Sequence, residues 1–184
     1  MRRIAGVLVS FCLSLGATAA VAEDHTYPLR NHTGLVLPVP DGWKEEIKSV
    51  RADAPPALYF TPQSGSSFAV AVTPFVSMKD GSKLPEGEAI RALLSTSAQQ
   101  LAAKAVEKQL SIRELIGPHC KGYYFSATDR APAAGEWKYL TQGIVRVGGT
   151  EGVDVEFDIL TNDGQEAIAK TALDMIRNAR HLAP

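Results

Sequence analysis

The sequence predicts an α+β domain in which two helices pack on an antiparallel β-sheet. The first indication is a series of short apolar segments separated by turns rich in Gly, Pro, Asn and Asp, as is typical of strands. The second is that only two segments, one central and one near the end, repeat their apolar residues at helical spacing. This order favours an antiparallel sheet over alternating βαβ units.

Residues 1–22 are predicted to be a secretory signal peptide that lies outside this domain. Two arginines precede an apolar run at 4–15, and the small residues that follow end in an A-x-A cleavage signal at 20–22. The apolar run is shorter than the roughly 20 residues that cross a bilayer. We expect cleavage after Ala22, so that residues 23–184 form a single domain that is periplasmic or secreted and has no membrane anchor.

The first strands are predicted near Tyr27 and at 34–39, after a mobile end at 23–26. The second of them leads into a Pro-Asp-Gly turn at 40–42, because proline presets φ and glycine permits a positive φ. Trp43 follows this turn at once. We interpret it as a core anchor that covers the end of the sheet rather than as a ligand platform.

A hairpin is predicted next, with strands at 57–61 and 67–75, after an irregular segment at 44–57. Its second strand is apolar on both faces, which predicts a central strand that is covered on both sides. Residues 85–108 then form the strongest predicted helix. The apolar stripe of this helix consists of Ile90, Leu93, Leu94, Leu101 and Ala105.

The second half of the domain is predicted to add four strands. Two of them lie at 111–116 and 120–128, and the clearest hairpin of the chain follows at 136–147 and 152–161. The last of these strands alternates strictly between apolar and acidic residues, which predicts one face in the core and one face towards water.

The closing helix is predicted to begin near Asp163. The spacing of Asp163 and Glu166 resembles a capping box, with Asp in place of the usual Ser or Thr. Arg177, Arg180 and His181 are expected to complement the negative C-terminal end of this helix.

The acidic row of Asp154, Glu156 and Asp158 is the most pronounced charged feature of the sequence. Carboxylates spaced by two residues share one face of a strand and could coordinate Ca²⁺. The hairpin favours another interpretation, because it places Arg146 opposite Asp154 and Gln142 opposite Asp158. Such cross-strand pairs stabilise a sheet by roughly 0.2 to 1 kcal/mol each. We expect a ladder of pairs, and cation binding by the row stays open.

Cys120 is the one cysteine that remains after signal cleavage, so no disulfide can form within a single chain. We expect a buried side chain, although a Cys nucleophile assisted by a distant His stays open. His119 precedes it, but neighbours on an extended segment face opposite ways and are badly placed to act together. The four histidines show no metal-binding spacing. The sequence therefore predicts no catalytic, cofactor-binding or metal-binding residue.

The segment 37–43, Leu-Pro-Val-Pro-Asp-Gly-Trp, resembles the PsbP-like superfamily. This superfamily includes the photosystem accessory protein PsbP, a nuclear-transport regulator of Ran and bacterial DcrB-like envelope proteins. The order of elements over about 27–182 is similar to that of its members. The resemblance implies an α/β/α sandwich around an antiparallel sheet and a non-enzymatic role in accessory function or partner binding. It implies no functional residues, and Trp43 matches a structural position only.

These observations lead to three functional hypotheses. The first is a soluble, exported, non-enzymatic accessory protein that binds another envelope protein through its sheet surface or loops. The second is a periplasmic carrier of a small ligand or a metal ion, and the third is an enzyme that uses Cys120. Signal cleavage changes the formal net charge from −1 to −3 and no segment is strongly basic, so nucleic acid is a poor candidate partner.

Overall fold

A computed structural model describes residues 22–29, 32–48, 56–75, 87–149 and 152–182. Nearly all of the predicted signal peptide lies outside these residues. The elements are β1 (Ala22–Leu29), β2 (His32–Pro40), β3 (Trp43–Lys48), β4 (Ala57–Pro62), β5 (Phe68–Phe75), α1 (Glu88–Ala102), β6 (Arg113–Ile116), β7 (Cys120–Thr128), β8 (Tyr139–Val147), β9 (Val153–Thr161), α2 (Glu166–Arg177) and β10 (Arg180–Leu182). Neither of the two described helices is long and apolar enough to cross a membrane.

Two antiparallel sheets form the framework. The large sheet has seven strands in the order β3-β4-β5-β9-β8-β7-β6, and the small sheet has three in the order β1-β2-β10. The predicted register of the β8–β9 hairpin is confirmed, with Arg146 opposite Asp154 and Gln142 opposite Asp158. The predicted α+β class is also confirmed, although the second sheet was not foreseen.

The core lies on both faces of the large sheet. On one face, Phe60 and Phe157 belong to a buried cluster that also includes side chains of α2 and of the small sheet, such as Leu37. On the other face, Ile90 of α1 packs with Phe125 of β7. Full burial of such a side chain stabilises a fold by roughly 1.5 to 3 kcal/mol. The large sheet is thus held between two apolar layers.

Two polar segments are strands where the sequence predicted none. Residues 23–26 belong to β1 and pair with β2, and the segment after Trp43 forms β3 and pairs with β4. The side chains at 23–26 and those of β3 after Trp43 are mostly exposed and polar, so these segments lack the apolar alternation on which the prediction relied. β3 is an edge strand, where charged side chains are common because they discourage further pairing. Trp43 packs against Phe60 and Phe68, as expected of a core anchor.

The predicted helix at 85–108 is longer than α1, which begins at Glu88 and ends at Ala102. After the end of the helix, Ala105 forms a β-bridge with Asp129, next to the end of β7. On the predicted stripe Ile90 and Leu94 are buried, whereas Leu93 is 53% exposed.

The predicted capping box is wrong. The carboxylate of Asp163 accepts hydrogen bonds from Lys138 Nζ at 2.8 Å and from the Tyr139 hydroxyl at 2.6 Å. α2 therefore begins at Glu166 without a side-chain cap. Arg180 does not complement the end of the helix either, because it lies in β10 and forms an ion pair with Asp24.

The predicted covering of β5 on both sides is also wrong. Phe68, Val70 and Val72 are buried against the small-sheet side, but Ala71 on the opposite face is only half-buried and Phe75 is 40% exposed. The reason is that α1 packs on β7 and β8 rather than on β5.

Candidate functional site

A row of five residues crosses the large sheet at one register, on the face that α1 covers in part. Strand pairing places Phe75 opposite Asp154, Asp154 opposite Arg146, Arg146 opposite Lys121, and Lys121 opposite Ile116. The two ends of this row are exposed and its centre is buried. We refer to these five residues as the cross-sheet row.

A buried ion pair occupies the centre of the cross-sheet row. Arg146 Nε donates to Asp154 Oδ1 at 2.8 Å, and Arg146 Nη2 donates to Asp154 Oδ2 at 2.9 Å. The side chains are 11% and 4% exposed, respectively. Two parallel bonds of this kind hold a guanidinium and a carboxylate in one geometry. Both carboxylate oxygens of Asp154 therefore pair with Arg146.

The other two carboxylates of the acidic row lie further along β9. Gln142 Nε2 donates to Asp158 Oδ1 at 3.0 Å, and Ser97 of α1 donates to Gln142 Oε1 at 2.7 Å. Loss of hydration raises the pKa of the Asp158 carboxyl. The pKa of the Glu156 carboxyl is raised by loss of hydration and also by the nearby charge of Asp158. Through Gln142, the acidic row therefore helps to join α1 to the large sheet.

Two carboxylates of the acidic row are directed to separate protein partners. Within the described ranges, no three His, Cys, Asp or Glu side chains converge so that they could hold a metal ion. Calcium needs six to eight oxygen ligands. Asp154 and Asp158 instead direct their carboxylates to Arg146 and Gln142, respectively.

A cavity of about 770 Å³ opens beside the cross-sheet row. It lies between the first turn of α1, the turn that joins β6 to β7 and the end of β8. Ile90 and Tyr123 give it buried apolar walls, while Lys121 and Ile116 lie at its exposed side. Gly148 also lines it, and this residue needs to be glycine, because its φ is 92° and a Cβ would lie 2.7 Å from His181 Cβ.

Cys120 also lines the cavity, but its thiol is engaged elsewhere. Its Sγ donates to the main-chain carbonyls of Arg177 at 3.3 Å and Ile176 at 3.6 Å, at the end of α2. Burial raises the pKa of the thiol, although a backbone hydrogen bond at Gly117 opposes this shift. A protonated, buried thiol is a poor nucleophile. The expected burial of Cys120 is confirmed, and the arrangement disfavours the hypothesis of a cysteine enzyme.

The histidines are spread over the molecule. His119 is exposed in the turn before β7 and lines the cavity, whereas the Cys120 thiol is directed to the end of α2. His25 Nδ1 lies 3.0 Å from Glu45 Oε2, which also accepts a hydrogen bond from the Tyr27 hydroxyl at 2.6 Å. These contacts join β1 to β3. The side chain of His32 lies outside the described part.

Sequence reasoning identified the buried half of the cross-sheet row and missed the exposed half. Arg146 and Asp154 were found because they face each other in one hairpin. Lys121 and Ile116 carry no motif, and their place beside the cavity depends on the pairing of β7 with β8. One available signal was the predicted strand at 120–128, in which Lys121 interrupts an otherwise apolar region.

Several solved structures are similar to this chain. CyanoP, the cyanobacterial PsbP of Synechocystis, is similar with a TM-score of 0.53 at 10% sequence identity, over 91% of this chain and 97% of that chain. This likeness shows a PsbP-like fold, as the segment at 37–43 implied. A protein from Bacteroides thetaiotaomicron gives a TM-score of 0.49 at 15% identity over 80% of this chain, which spans 44% of that chain. The Ran-binding protein Mog1p of Saccharomyces cerevisiae gives 0.45 at 9% identity, over 88% and 97% of the two chains.

No family model and no curated protein matches the sequence.

Proposed function

We propose that this chain is an exported, non-enzymatic accessory protein that binds a partner protein in the cell envelope. One observation carries the proposal. Two groups near the cavity that could perform chemistry, the Cys120 thiol and the Asp154 carboxylate, are engaged in internal contacts. Lys121 and Ile116 remain exposed at the same cavity. A surface of this kind is suited to binding rather than to bond-making.

The fold and the leader sequence support this proposal by analogy. PsbP-like proteins resemble partner-binding modules rather than enzymes, and the same fold is found here. The predicted signal peptide at 1–22 favours a periplasmic location. A partner in the envelope therefore agrees with both features.

The proposal is tested by cross-linking of the epitope-tagged full chain in intact cells, followed by fractionation and N-terminal sequencing. We expect the chain in the periplasmic fraction, beginning at Glu23, and a reproducible covalent adduct with one envelope protein. A matched control begins translation at Glu23 behind a new start codon, and we expect it to stay in the cytoplasm without that adduct. Retention of residues 1–22 on a cytoplasmic wild-type chain, or the absence of any protein adduct, would overturn the proposal.

A second candidate function is transport of a small molecule. The volume of the cavity, about 770 Å³, lies within the range of roughly 300 to 1,000 Å³ that is typical of small-molecule sites. Native mass spectrometry of the purified chain tests this function. A stoichiometric added mass that disappears on denaturation would support it.

A further inference from the structure

We propose that the cavity beside the cross-sheet row is the docking site for an acidic segment of the partner, in which an apolar side chain lies next to a carboxylate. This inference rests on the proposed function and specifies the chemistry of the partner. Its basis is that Lys121, which has no ion-pair partner among the described residues, lies at the same cavity as buried apolar walls.

The charge of the site comes from Lys121. Strand pairing places Lys121 directly opposite Arg146, and like charges in that position destabilise a sheet. Asp154 offsets the charge of Arg146 through the two hydrogen bonds described above. In the described part of the chain, no carboxylate lies within ion-pair distance of Lys121. A carboxylate from a partner would therefore meet an uncompensated positive charge in a chain whose net charge is negative.

The apolar side of the site comes from residues of β6, β7 and α1. Ile116 lies opposite Lys121 and is 57% exposed, whereas Tyr123 and Ile90 are buried in the cavity wall. A partner side chain that covers Ile116 removes apolar surface from water, which favours binding. In a partner segment with an apolar residue beside a carboxylate, the apolar side chain would cover Ile116 while the carboxylate pairs with Lys121.

A fluorescence-anisotropy titration of the mature full-length domain tests the site. The probe is a fluorescein-labelled hexapeptide in which Leu alternates with Asp, and its matched control has Asn at every Asp position. We expect saturable binding of the Asp peptide that weakens as NaCl is raised, and at least tenfold weaker binding of the Asn peptide. Equal binding of the two peptides, or no binding at millimolar protein, would overturn the inference.

Two variants locate the binding, each with a matched control at an exposed strand position elsewhere. We expect Lys121→Gln and Ile116→Ser each to weaken binding of the Asp peptide at least fivefold. Lys44→Gln and Ile47→Ser should leave it unchanged, since Ile47 is as exposed as Ile116, at 55%. All four changes are at exposed side chains, so circular dichroism should show folded proteins. Equal loss in the controls, or none in the site variants, would overturn the inference.

The inference and the proposed function can fail separately. If the in-cell adduct forms equally well with Lys121→Gln, the chain binds a partner through another surface, and this docking site is overturned while the proposed function stands. If decanoate binds at the cavity and the Asp peptide does not, a small apolar acid is the ligand, which also overturns the docking of a protein segment.

Discussion

Replacement of Asp154 by asparagine tests the role of the ion pair at the centre of the cross-sheet row. The two side chains are 4% and 11% exposed and share two hydrogen bonds of 2.8 and 2.9 Å. Asp154→Asn keeps the shape of the side chain and removes its charge, so Arg146 loses the carboxylate that accepts two of its hydrogen bonds. Breaking a buried pair in this way costs about 3 to 5 kcal/mol in the free energy of unfolding.

Equilibrium unfolding in urea, followed by tryptophan fluorescence, measures this loss. The ring centroids of Trp43 and Phe68 are 4.7 Å apart, and Trp43 packs against the core, so its emission should report the global transition. With an m-value of about 2 kcal/mol/M, the midpoint should fall by about 1.5 to 2.5 M. The double variant Arg146→Met with Asp154→Leu should recover most of that loss, because an apolar pair of similar size needs no charge compensation.

Glu156→Gln is the matched control, two residues along the same face of β9. The charged form of Glu156 is disfavoured by burial, so its removal should leave stability unchanged or raise it. A loss below about 1 kcal/mol for Asp154→Asn would refute the reasoning, since that value is typical of a solvated surface pair. Equal losses for Asp154→Asn and Glu156→Gln would refute it as well.

Three further predictions concern burial and titration. In a chain that begins at Glu23, the folded Cys120 thiol should react with a disulfide reagent about a hundredfold more slowly than the urea-unfolded one, and equal rates would contradict its burial. Burial raises the pKa of Glu156 in the folded state, so the folded chain holds this proton more tightly than the unfolded chain does. The stability that comes from the protonated carboxyl is therefore present at low pH and is lost as pH rises through the folded-state pKa. The gain in stability from Glu156→Gln should therefore be larger at pH 7 than at pH 4 in paired urea titrations, and a gain independent of pH would contradict this sign. Gly143→Ala should cost about 1 to 3 kcal/mol, because the new Cβ would lie 2.4 Å from Phe157 Cζ, and an unchanged melting temperature would contradict the close approach.

Local sequence patterns predicted the elements whose partners are near in the chain. The β8–β9 hairpin is the clearest case, because a short turn and strict alternation fix which residues face each other. The burial of Ile90 and Leu94 followed from helical spacing in the same way. In each of these cases the pattern and the contact lie within one or two neighbouring elements.

Contacts between distant segments could not be predicted in this way. β5 pairs with β9 across the whole of α1, β6, β7 and β8, so nothing local indicates that Phe75 lies opposite Asp154. β10 pairs with β2, which lies near the other end of the chain. Arg180, which was expected at the end of α2, therefore lies in a strand. Polar edge strands such as β3 also escape prediction, because they carry no apolar alternation.

The same topology explains why stability and recognition can be separated within one row. The Arg146–Asp154 pair is buried, so it acts on folding and leaves no net charge for a partner. Lys121 and Ile116 are exposed one and two strands further along, so they contribute little to folding and remain available at the cavity. Lys121→Gln should therefore weaken peptide binding at an unchanged urea midpoint, whereas Asp154→Asn should lower the midpoint and leave the positive charge at the cavity in place. If both variants instead lost stability and binding in parallel, the row would be one structural unit, and its exposed half would have no separate role in recognition.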